Sequence, residues 1–562
     1  MVETAERPVP RPHDDAPADH DRRPRDRTFL WLLVAALVVG GALRVVVGLT
    51  DDAPTSDETA YLGSGTSLVD GDGFARGGRP ELHFPPFVPF LLGMASKVFA
   101  DPHTGAVWVS IVAGTAAIAP LALLARRLAG DLAGGAAAWV AALAPGLATL
   151  PATRGSGSEA VYVLVIVTAL WLVASSASHV GIPRLVRVAG SGLMVGLAYL
   201  TRPEGLFVAA PIGLAALWLA TRDRSAGRER RRGVVVAAAA FAAPLLLCVA
   251  PYAAFLHDHT GRWELTAKTQ DVSIDAWHAV ARGDRHDRDA VLYALDDTGL
   301  RFDDERTSLT SLALDDPGGY LEIFGTNVRV LGKNIAGVAL LPLPVWALAA
   351  YGAWRARRSR LVLLLGGVSA LPVLTALAFF VMPRYLVVVA AVGAVLAGVG
   401  ATHLPHRHRR LVLGALAVML AVSSVQALRG GAGWFHPDEH TDQRRAGEWL
   451  AEHTDDDDLV MTRSMVVEHY NGRRALPIPY ADPDEIMAFA RHYGAQYLVV
   501  DEAHVERLRP QLLPLFTDDD HDGLRLVHEL EAEGRTTRIF ALDPAPPPSD
   551  EEGPALGFMG DA

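Results

Sequence analysis

The chain has 562 residues, of which 50% are hydrophobic and 20% are charged, and its formal net charge at pH 7 is -12. The apolar residues form long blocks rich in Ala, Leu, Val and Gly, and a run of about 18 apolar residues is long enough to span the hydrocarbon core of a bilayer. This pattern excludes a purely soluble protein. The single cysteine, Cys248, excludes an intramolecular disulfide and a cysteine-based metal site.

Residues 1–27 are rich in Pro, Asp and Arg and predict a disordered cytoplasmic tail. The first apolar run is long and lacks a small-residue cleavage site, which excludes a cleaved signal peptide. About eleven membrane spans are predicted, near residues 28–49, 105–125, 131–150, 159–177, 188–203, 205–221, 233–255, 336–353, 361–381, 385–403 and 411–428.

Short basic loops predict the orientation of these spans. Lys and Arg in short loops favour the cytoplasmic side of a membrane. If the N-terminus is cytoplasmic, all five short basic loops are also cytoplasmic. These loops are 126–127, 184–187, 222–232, 355–360 and 406–410. The outer side then receives the loops 50–104 and 256–335, the turns at 151–158 and 202–205, the junction at Arg384 and the region after 430.

The first outer loop contains adjacent carboxylates in the segment Ser56-Asp57-Glu58. One interpretation is a solvated helix start, with Ser56 as N-cap and the acids favoured by the helix dipole. The other is a general base at the membrane surface, where partial desolvation raises the pKa of a carboxyl. Further along the loop, prolines precede an interfacial helix predicted at 86–100, which would anchor the loop or bring His83 and Lys97 to a lipid headgroup.

Three more charged junctions face the same side. Glu159 opens a span, Arg202 and Glu204 flank Pro203, and Arg384 lies between two apolar blocks. Snorkelling interface residues and a simple Arg202–Glu204 pair are the ordinary interpretation. Their convergence on one face of a helix bundle instead favours handling of an anionic, lipid-linked substrate.

The two longest outer segments differ in character. In the loop 256–335, Arg262 and Lys268 follow a span and are candidates for lining an acceptor or phosphate entrance, and 317–335 predicts another interfacial helix. Residues 430–543 alternate between predicted helices and strands, which indicates a compact extracytoplasmic α/β domain with its own core. The predicted helices are 439–453, 482–493 and 502–513, and the predicted strands are 458–462, 496–501, 525–531 and 537–542. Residues 544–562 are Pro-rich and acidic and predict a disordered tail.

Taken in order, these motifs resemble the membrane-embedded glycosyltransferases of the GT-C fold. The motifs are Asp57-Glu58, His83-Phe-Pro-Pro, Glu159, Leu-Thr-Arg202-Pro-Glu204-Gly and Arg384-Tyr385-Leu386. The closest likeness is to the protein O-mannosyltransferase and aminoarabinose-transferase group, over roughly residues 28–430. The fold class is therefore expected to be a polytopic α-helical membrane protein with a C-terminal α/β domain.

The resemblance implies transfer of a sugar from a polyprenyl-phosphate donor to an acceptor hydroxyl on the outer face, with inversion at the anomeric carbon. Asp57 matches the family's catalytic acid and would act as general base, Glu58 would assist, and Glu159 matches the second acidic position. Arg384 would bind the donor phosphate, with Lys97, Arg202 or His83 as helpers. Glu204 joins Arg262 and Lys268 as a candidate at the acceptor entrance.

The resemblance also bears on cofactors and partners. No cofactor or metal is expected, because a departing monophosphate can be neutralised by arginines, although relatives with pyrophosphate donors use divalent metals. The acceptor is a glycan, lipid or protein, and no nucleic acid is expected. The chain lacks the extra repeat domain of eukaryotic mannosyltransferases, so a protein acceptor is not implied. The expected location is a bacterial plasma membrane.

Two alternatives stay open on the sequence. A transporter or flippase of a lipid-linked saccharide would carry internal repeats and ionisable groups near mid-membrane, and neither is evident. A catalytically inactive scaffold would keep the fold without needing Asp57.

Overall fold

A computed structural model describes residues 23–48, 54–149, 158–222, 228–267, 285–302, 316–337, 340–428, 440–517, 520–532 and 534–547, with residues 279, 313–314, 549 and 553–554. Residues 1–22 of the tail predicted at 1–27, most of the turn at 151–158 and Lys268 lie outside the described residues. Residues 23–27 of that predicted tail are instead the start of the first helix.

Long helices make up most of residues 23–428. They are α1 (Arg23–Gly48), α2 (Ser56–Asp70), α3 (Phe87–Ser96), α4 (Pro102–Ala129), α5 (Asp131–Leu143), α6 (Pro145–Ala148), α7 (Ser158–Ser176), α8 (Ile182–Thr201), α9 (Ala209–Thr221), α10 (Arg228–Thr260), α11 (Arg285–Leu292), α12 (Pro317–Ala336), α13 (Leu343–Arg355), α14 (Arg360–Ala378), α15 (Val387–Thr402) and α16 (His406–Leu428). Short 3-10 helices, Pro203–Val208 and Pro383–Leu386, lead into α9 and α15.

Among the described residues, 8 helices are long and apolar enough to cross a membrane. They coincide with eight of the predicted spans, and the count of eleven stays a prediction. The other three predicted spans correspond to α5 with α6, to α8 and to α13. Pro145 ends α5 because the residue before a proline avoids the helical region, and Ala144 is accordingly extended at φ -69° and ψ 129°.

Small residues allow the central helices of the bundle to approach closely. Both α5 and α15 are almost entirely buried. A Cβ placed on Gly398 would lie only 2.4 Å from the Ala133 carbonyl oxygen, so the two backbones are nearly in contact. Such small-residue contacts are the usual way in which helices pack inside a membrane, where no hydrophobic driving force acts between them.

Residues 54–104 of the first outer loop pack on the bundle. Thr55, rather than the predicted Ser56, is the N-cap of α2: its side chain accepts a hydrogen bond from the Glu58 backbone N–H at 3.3 Å. A short antiparallel hairpin, β1 (Ala75–Arg76) with β2 (Arg79–Pro80), follows α2. The predicted interfacial helix is α3, which packs across α2.

The C-terminal region is an α/β unit, as predicted. Its elements are α17 (Thr441–His453), β3 (Leu459–Thr462), α18 (Met465–Asn471), β4 (Ala475–Pro477), α19 (Pro483–Tyr493), β5 (Ala495–Asp501), α20 (Glu502–Leu508), the 3-10 helix Pro510–Leu512, α21 (Pro514–Thr517), β6 (Asp520–His521), β7 (Leu524–Ala532) and β8 (Arg535–Leu542). The strands form one sheet in the order β4-β3-β5-β8-β7-β6. β3 runs parallel to β4 and β5, and the other pairs are antiparallel.

This unit sits directly on the first outer loop. Met465 of α18 shares a core with Ala60, Tyr61 and Leu62 of α2. Arg76 of the hairpin forms a salt bridge with Glu468 of α18 at 3.0 Å. The element that carries Asp57 and Glu58 is therefore enclosed between the helix bundle and the C-terminal unit.

Candidate active site

An ion pair joins the first outer loop to the distant Arg384 junction. The Asp57 Oδ2 atom accepts a hydrogen bond from Arg384 Nη1 at 2.7 Å. Asp57 lies in the first turn of α2, and Arg384 lies in the short helix that leads into α15. The two side chains retain 21% and 15% of their exposure, so a substrate can reach them from solvent.

A second charged group lies beside this pair. Arg202 Nη1 contacts Glu159 Oε1 at 3.1 Å, and Arg202 Nε contacts Glu204 Oε1 at 2.7 Å. The Ser158 hydroxyl donates to Glu159 Oε2 at 3.0 Å. Burial opposes the charge on Arg202, but Glu204 and Glu159 outweigh it and raise the pKa of Arg202 above its usual range. Arg202 is therefore a fixed cation.

Aromatic rings connect the two groups. The Tyr385 ring lies 5.0 Å from the Arg202 guanidinium and 5.5 Å from that of Arg384, so one ring contacts both cations. Burial, reinforced by Asp57, raises the pKa of Tyr61, and the charges of Arg202 and Glu159 also act on this phenol. Residues from four separate parts of the sequence thus form one cluster: Asp57, Tyr61, Ser158, Glu159, Arg202, Glu204, Arg384 and Tyr385.

Glu58 contacts a different partner from a different side of α2. Its Oε1 atom is 2.7 Å from Nδ1 of His103 in the first turn of α4, and both side chains are almost completely buried. Burial raises the pKa of Glu58, and His103 partly opposes the shift. His103 was not identified from the sequence, because a lone histidine at the start of an apolar run carries no motif.

Other predicted residues take separate positions. Lys97 pairs with Asp70 at the far end of α2, and both side chains are more than 40% exposed. The His83 ring packs edge-on against Phe84, which in turn packs against Tyr61. Arg262 is exposed just beyond α10. Their predicted contacts with donor phosphate or acceptor stay predictions.

The possible metal ligands of the described residues do not converge on one point. Across the described ranges, no group of three or more His, Cys, Asp or Glu could hold a metal ion. The cluster places three carboxylates beside two arginines, and such groups can bind a phosphate and remove a proton. Independence from metal stays a prediction.

Part of the chain matches a known protein family. Residues 83–251 match the family model described as dolichyl-phosphate-mannose-protein mannosyltransferase. No curated protein matches the chain in a sequence comparison.

Two kinds of solved structure are similar. The Archaeoglobus fulgidus oligosaccharyltransferase in complex with Zn and sulfate has a TM-score of 0.57 and 15% identity over 84% of this chain and 68% of its own. ArnT from Cupriavidus metallidurans bound to undecaprenyl phosphate has a TM-score of 0.54 and 14% identity over 92% of this chain and 99% of its own. At such identities the likeness concerns the fold.

These findings confirm the predicted fold class. The chain is a polytopic α-helical membrane protein with the GT-C fold and a C-terminal α/β region. The resemblance inferred from the short outer motifs is confirmed by the family match and by both structures.

Proposed function

We propose that this GT-C protein is a glycosyltransferase that moves a sugar from a polyprenyl-phosphate donor to an acceptor hydroxyl at the outer face of the plasma membrane. The observation that carries the proposal is the accessible Asp57–Arg384 pair, at 2.7 Å, beside the Glu159–Arg202–Glu204 group. A base and a phosphate-binding cation in contact are the two groups that this transfer requires.

Asp57 acts as the general base in this scheme. It accepts the proton of the acceptor hydroxyl as that oxygen attacks the anomeric carbon, with inversion of configuration. Arg384 holds Asp57 in the carboxylate form and in place before substrate arrives. Asp57 Oδ2 is the carboxylate atom that faces Arg384 Nη1.

Arg384 also receives the donor. The bond from the anomeric carbon to the phosphate oxygen breaks, and negative charge develops on the departing polyprenyl phosphate. A guanidinium has several donors in a fixed plane, so it can contact a phosphate while still contacting a carboxylate. Arg202, anchored by Glu159 and Glu204, adds a second fixed positive charge, and such preorganised charge stabilises a transition state.

Similar structures support a lipid-phosphate donor. The ArnT structure contains undecaprenyl phosphate, and an AglB structure from Archaeoglobus fulgidus, with a TM-score of 0.53 and 14% identity over 92% of this chain and 74% of its own, contains a dolichol-phosphate and an inhibitory peptide. The proposed donor is a polyprenyl-phosphate sugar, and the proposed transfer reaction requires no metal ion. Glu204, Arg262 and Lys268 are proposed to line the acceptor side.

The proposed location follows from the charge bias. The N-terminus lies in the cytoplasm of a bacterium and the active site opens on the outer face of the plasma membrane. A cysteine introduced at Glu452, an exposed position of α17, is expected to be labelled from the outside but not from the inside.

Reconstituted protein with a radiolabelled polyprenyl-phosphate sugar tests the function. Wild type is expected to transfer label to an acceptor fraction from cell envelopes. Asp57→Asn is expected to lower kcat by about 10²-fold or more, as for loss of a general base. Arg384→Ala is expected to weaken donor use as well, because it removes a phosphate contact.

Asp70→Asn provides a matched control. Asp70 also lies on α2, at the end opposite to Asp57, and its side chain is 41% exposed. Near-normal transfer by this control is expected. Undiminished transfer by Asp57→Asn would disprove the general-base role.

A further inference from the structure

The buried contact between Glu58 and His103 has no part in the chemistry described so far. Glu58 is 0% exposed and His103 is 3% exposed. Their 2.7 Å contact joins the first turn of α2 to the first turn of α4. A carboxyl and an imidazole at this distance share one proton, and the shared proton removes most of the cost of burying either group as an isolated charge.

Asp57 and Glu58 are consecutive, so their side chains leave α2 on different sides. Asp57 reaches Arg384 and Glu58 reaches His103. The first turn is thus held from both sides, by the junction before α15 and by α4. The remaining Glu58 oxygen, Oε2, is buried without a hydrogen-bond partner among the described residues, so the His103 contact is the one that fixes the carboxyl.

Residues of the C-terminal unit complete the surroundings of this pair. Met465 of α18 packs in the same core as Ala60 and Tyr61. Burial raises the pKa of Tyr470 in α18, and the charges of Arg444, Asp101 and Glu58 also act on this phenol. The pair therefore lies where α2, α4 and α18 meet, and water has little access to it.

We propose that Glu58 and His103 form a positioning pair, which holds the first turn of α2 so that the Asp57 carboxylate faces Arg384 and the acceptor hydroxyl. This inference rests on the proposed function for its kinetic consequence. Neither residue touches substrate in this scheme. A misplacement of about 1 Å at a reacting group can cost about 10²-fold in rate, which makes such positioning effective.

Steady-state transfer kinetics of four variants test the pair. Glu58→Ala and His103→Ala are each expected to lower kcat by about 10²-fold with KM within about threefold of wild type, because substrate contacts are intact. Glu58→Gln keeps a hydrogen-bonding partner for His103 and is expected to restore kcat to within about tenfold. The double alanine variant is expected to lose no more than the worse single variant.

Hydrogen–deuterium exchange of the peptide covering residues 55–62 gives a readout that does not require transfer. Glu58→Ala and His103→Ala are expected to exchange faster there, while Glu58→Gln and Asp70→Asn match wild type. If wild type transfers no sugar, the proposed function is wrong. The exchange result then still shows whether Glu58 and His103 hold the first turn of α2 in place.

The inference is overturned by wild-type kcat and wild-type exchange in Glu58→Ala. It is also overturned if Glu58→Gln is as impaired as Glu58→Ala, because a positioning role tolerates a neutral hydrogen-bonding replacement. Should the alanine variants not fold, Glu58→Gln and His103→Gln nearly preserve side-chain volume and decide the question through the same two measurements.

Discussion

Arg44 places a charged side chain inside the first span, where an unpaired charge is costly. It is 2% exposed and donates hydrogen bonds to the backbone oxygens of Gly40 at 2.8 Å, Ala141 at 3.2 Å and Leu147 at 2.6 Å. Ala141 and Leu147 lie on either side of the break between α5 and α6. Arg44 therefore satisfies carbonyl groups that the break would otherwise leave unpaired in an apolar environment.

Replacement of Arg44 by Met is expected to destabilise the bundle by roughly 2–4 kcal/mol, the cost of leaving two buried carbonyl groups without partners. The measurement is the apparent Tm of the purified protein in detergent. Arg27→Met, an exposed position in the same helix, is the matched control. An Arg44→Met variant that melts with wild type would show that water or local relaxation satisfies the break.

Position along the chain predicted which charged residues lie close together better than it predicted their contacts. Asp57, Glu159, Arg202 and Arg384 were singled out because each lies at the predicted outer end of a span, and the structure brings them into one cluster. The Arg202–Glu204 contact was also predicted, since only Pro203 separates the two residues in the sequence. Pairing across hundreds of residues depends on tertiary distances, which no local pattern contains.

At the scale of secondary structure, the placement of α2 depends on close contact with α3. A Cβ on Gly65 would lie 2.0 Å from the Pro89 carbonyl oxygen, and one on Gly93 would lie 2.2 Å from the Gly65 oxygen. Only glycine at both positions permits this approach. Because α2 carries Asp57 and Glu58 in its first turn, a shift of the helix moves the general base.

Gly65→Ala is therefore expected to cost about 2 kcal/mol or more in stability and to lower kcat, since backbone atoms cannot move aside as a side chain can. Gly63→Ala in the same helix is the matched control, because its Cβ would lie 3.4 Å from Arg76 Cγ, close to an ordinary contact. Thermal melts and transfer rates of the two variants should separate clearly. Equal behaviour of the two alanine variants would contradict the close-packing argument.

The longest and most strongly patterned elements were predicted, and the shortest were not. In the C-terminal region, α17, α19, β3, β5, β7 and β8 lie close to their expected positions. The seven-residue α18 and three-residue β4 were missed, since elements so short show no hydrophobic period. α18 is nonetheless the element that contacts α2, so the enclosure of the site could not be foreseen.

At the scale of the whole molecule, a buried aspartate ties the long outer loop to the C-terminal unit. Asp289 of α11 is 0% exposed, accepts from Arg463 at 2.8 Å and also pairs with Arg509. Burial lowers the pKa of Arg509 to about 9. The two arginines therefore rely on Asp289 for compensation of their charge.

Asp289→Asn is expected to release α11 from the C-terminal unit, because removing one partner of a buried ion pair costs about 3–5 kcal/mol. Limited trypsin digestion of the full chain measures this, since the loop 256–335 contains several Arg and Lys residues. Cleavage in the loop should accelerate in Asp289→Asn. Asp287→Asn, on the exposed side of the same helix, should be cleaved like wild type.

The contact between the C-terminal unit and the membrane bundle contains a titratable group that resists protonation. His469 lies in α18, and burial lowers the pKa of its imidazole to about 4, with Arg444 adding to and Asp101 opposing the shift. The folded pKa is below the ordinary value of 6.5. The stability that neutral His469 contributes is complete above pH 6.5 and is lost as the pH falls toward 4.

The expected size of this loss at pH 5 is about 1–2 kcal/mol, after allowance for the partial exposure of the ring. Apparent Tm of the full chain should therefore fall more steeply between pH 7 and pH 5 in wild type than in His469→Gln, which carries no charge at either pH. His453→Gln, an exposed position in α17, should keep the wild-type slope. Identical slopes for wild type and His469→Gln would mean that another group sets the acid sensitivity. A smaller fall of the apparent Tm in His469→Gln than in wild type would instead show that acid acts at His469. Because His469 lies in α18, the helix that contacts α2, acid would then loosen the enclosure of Asp57.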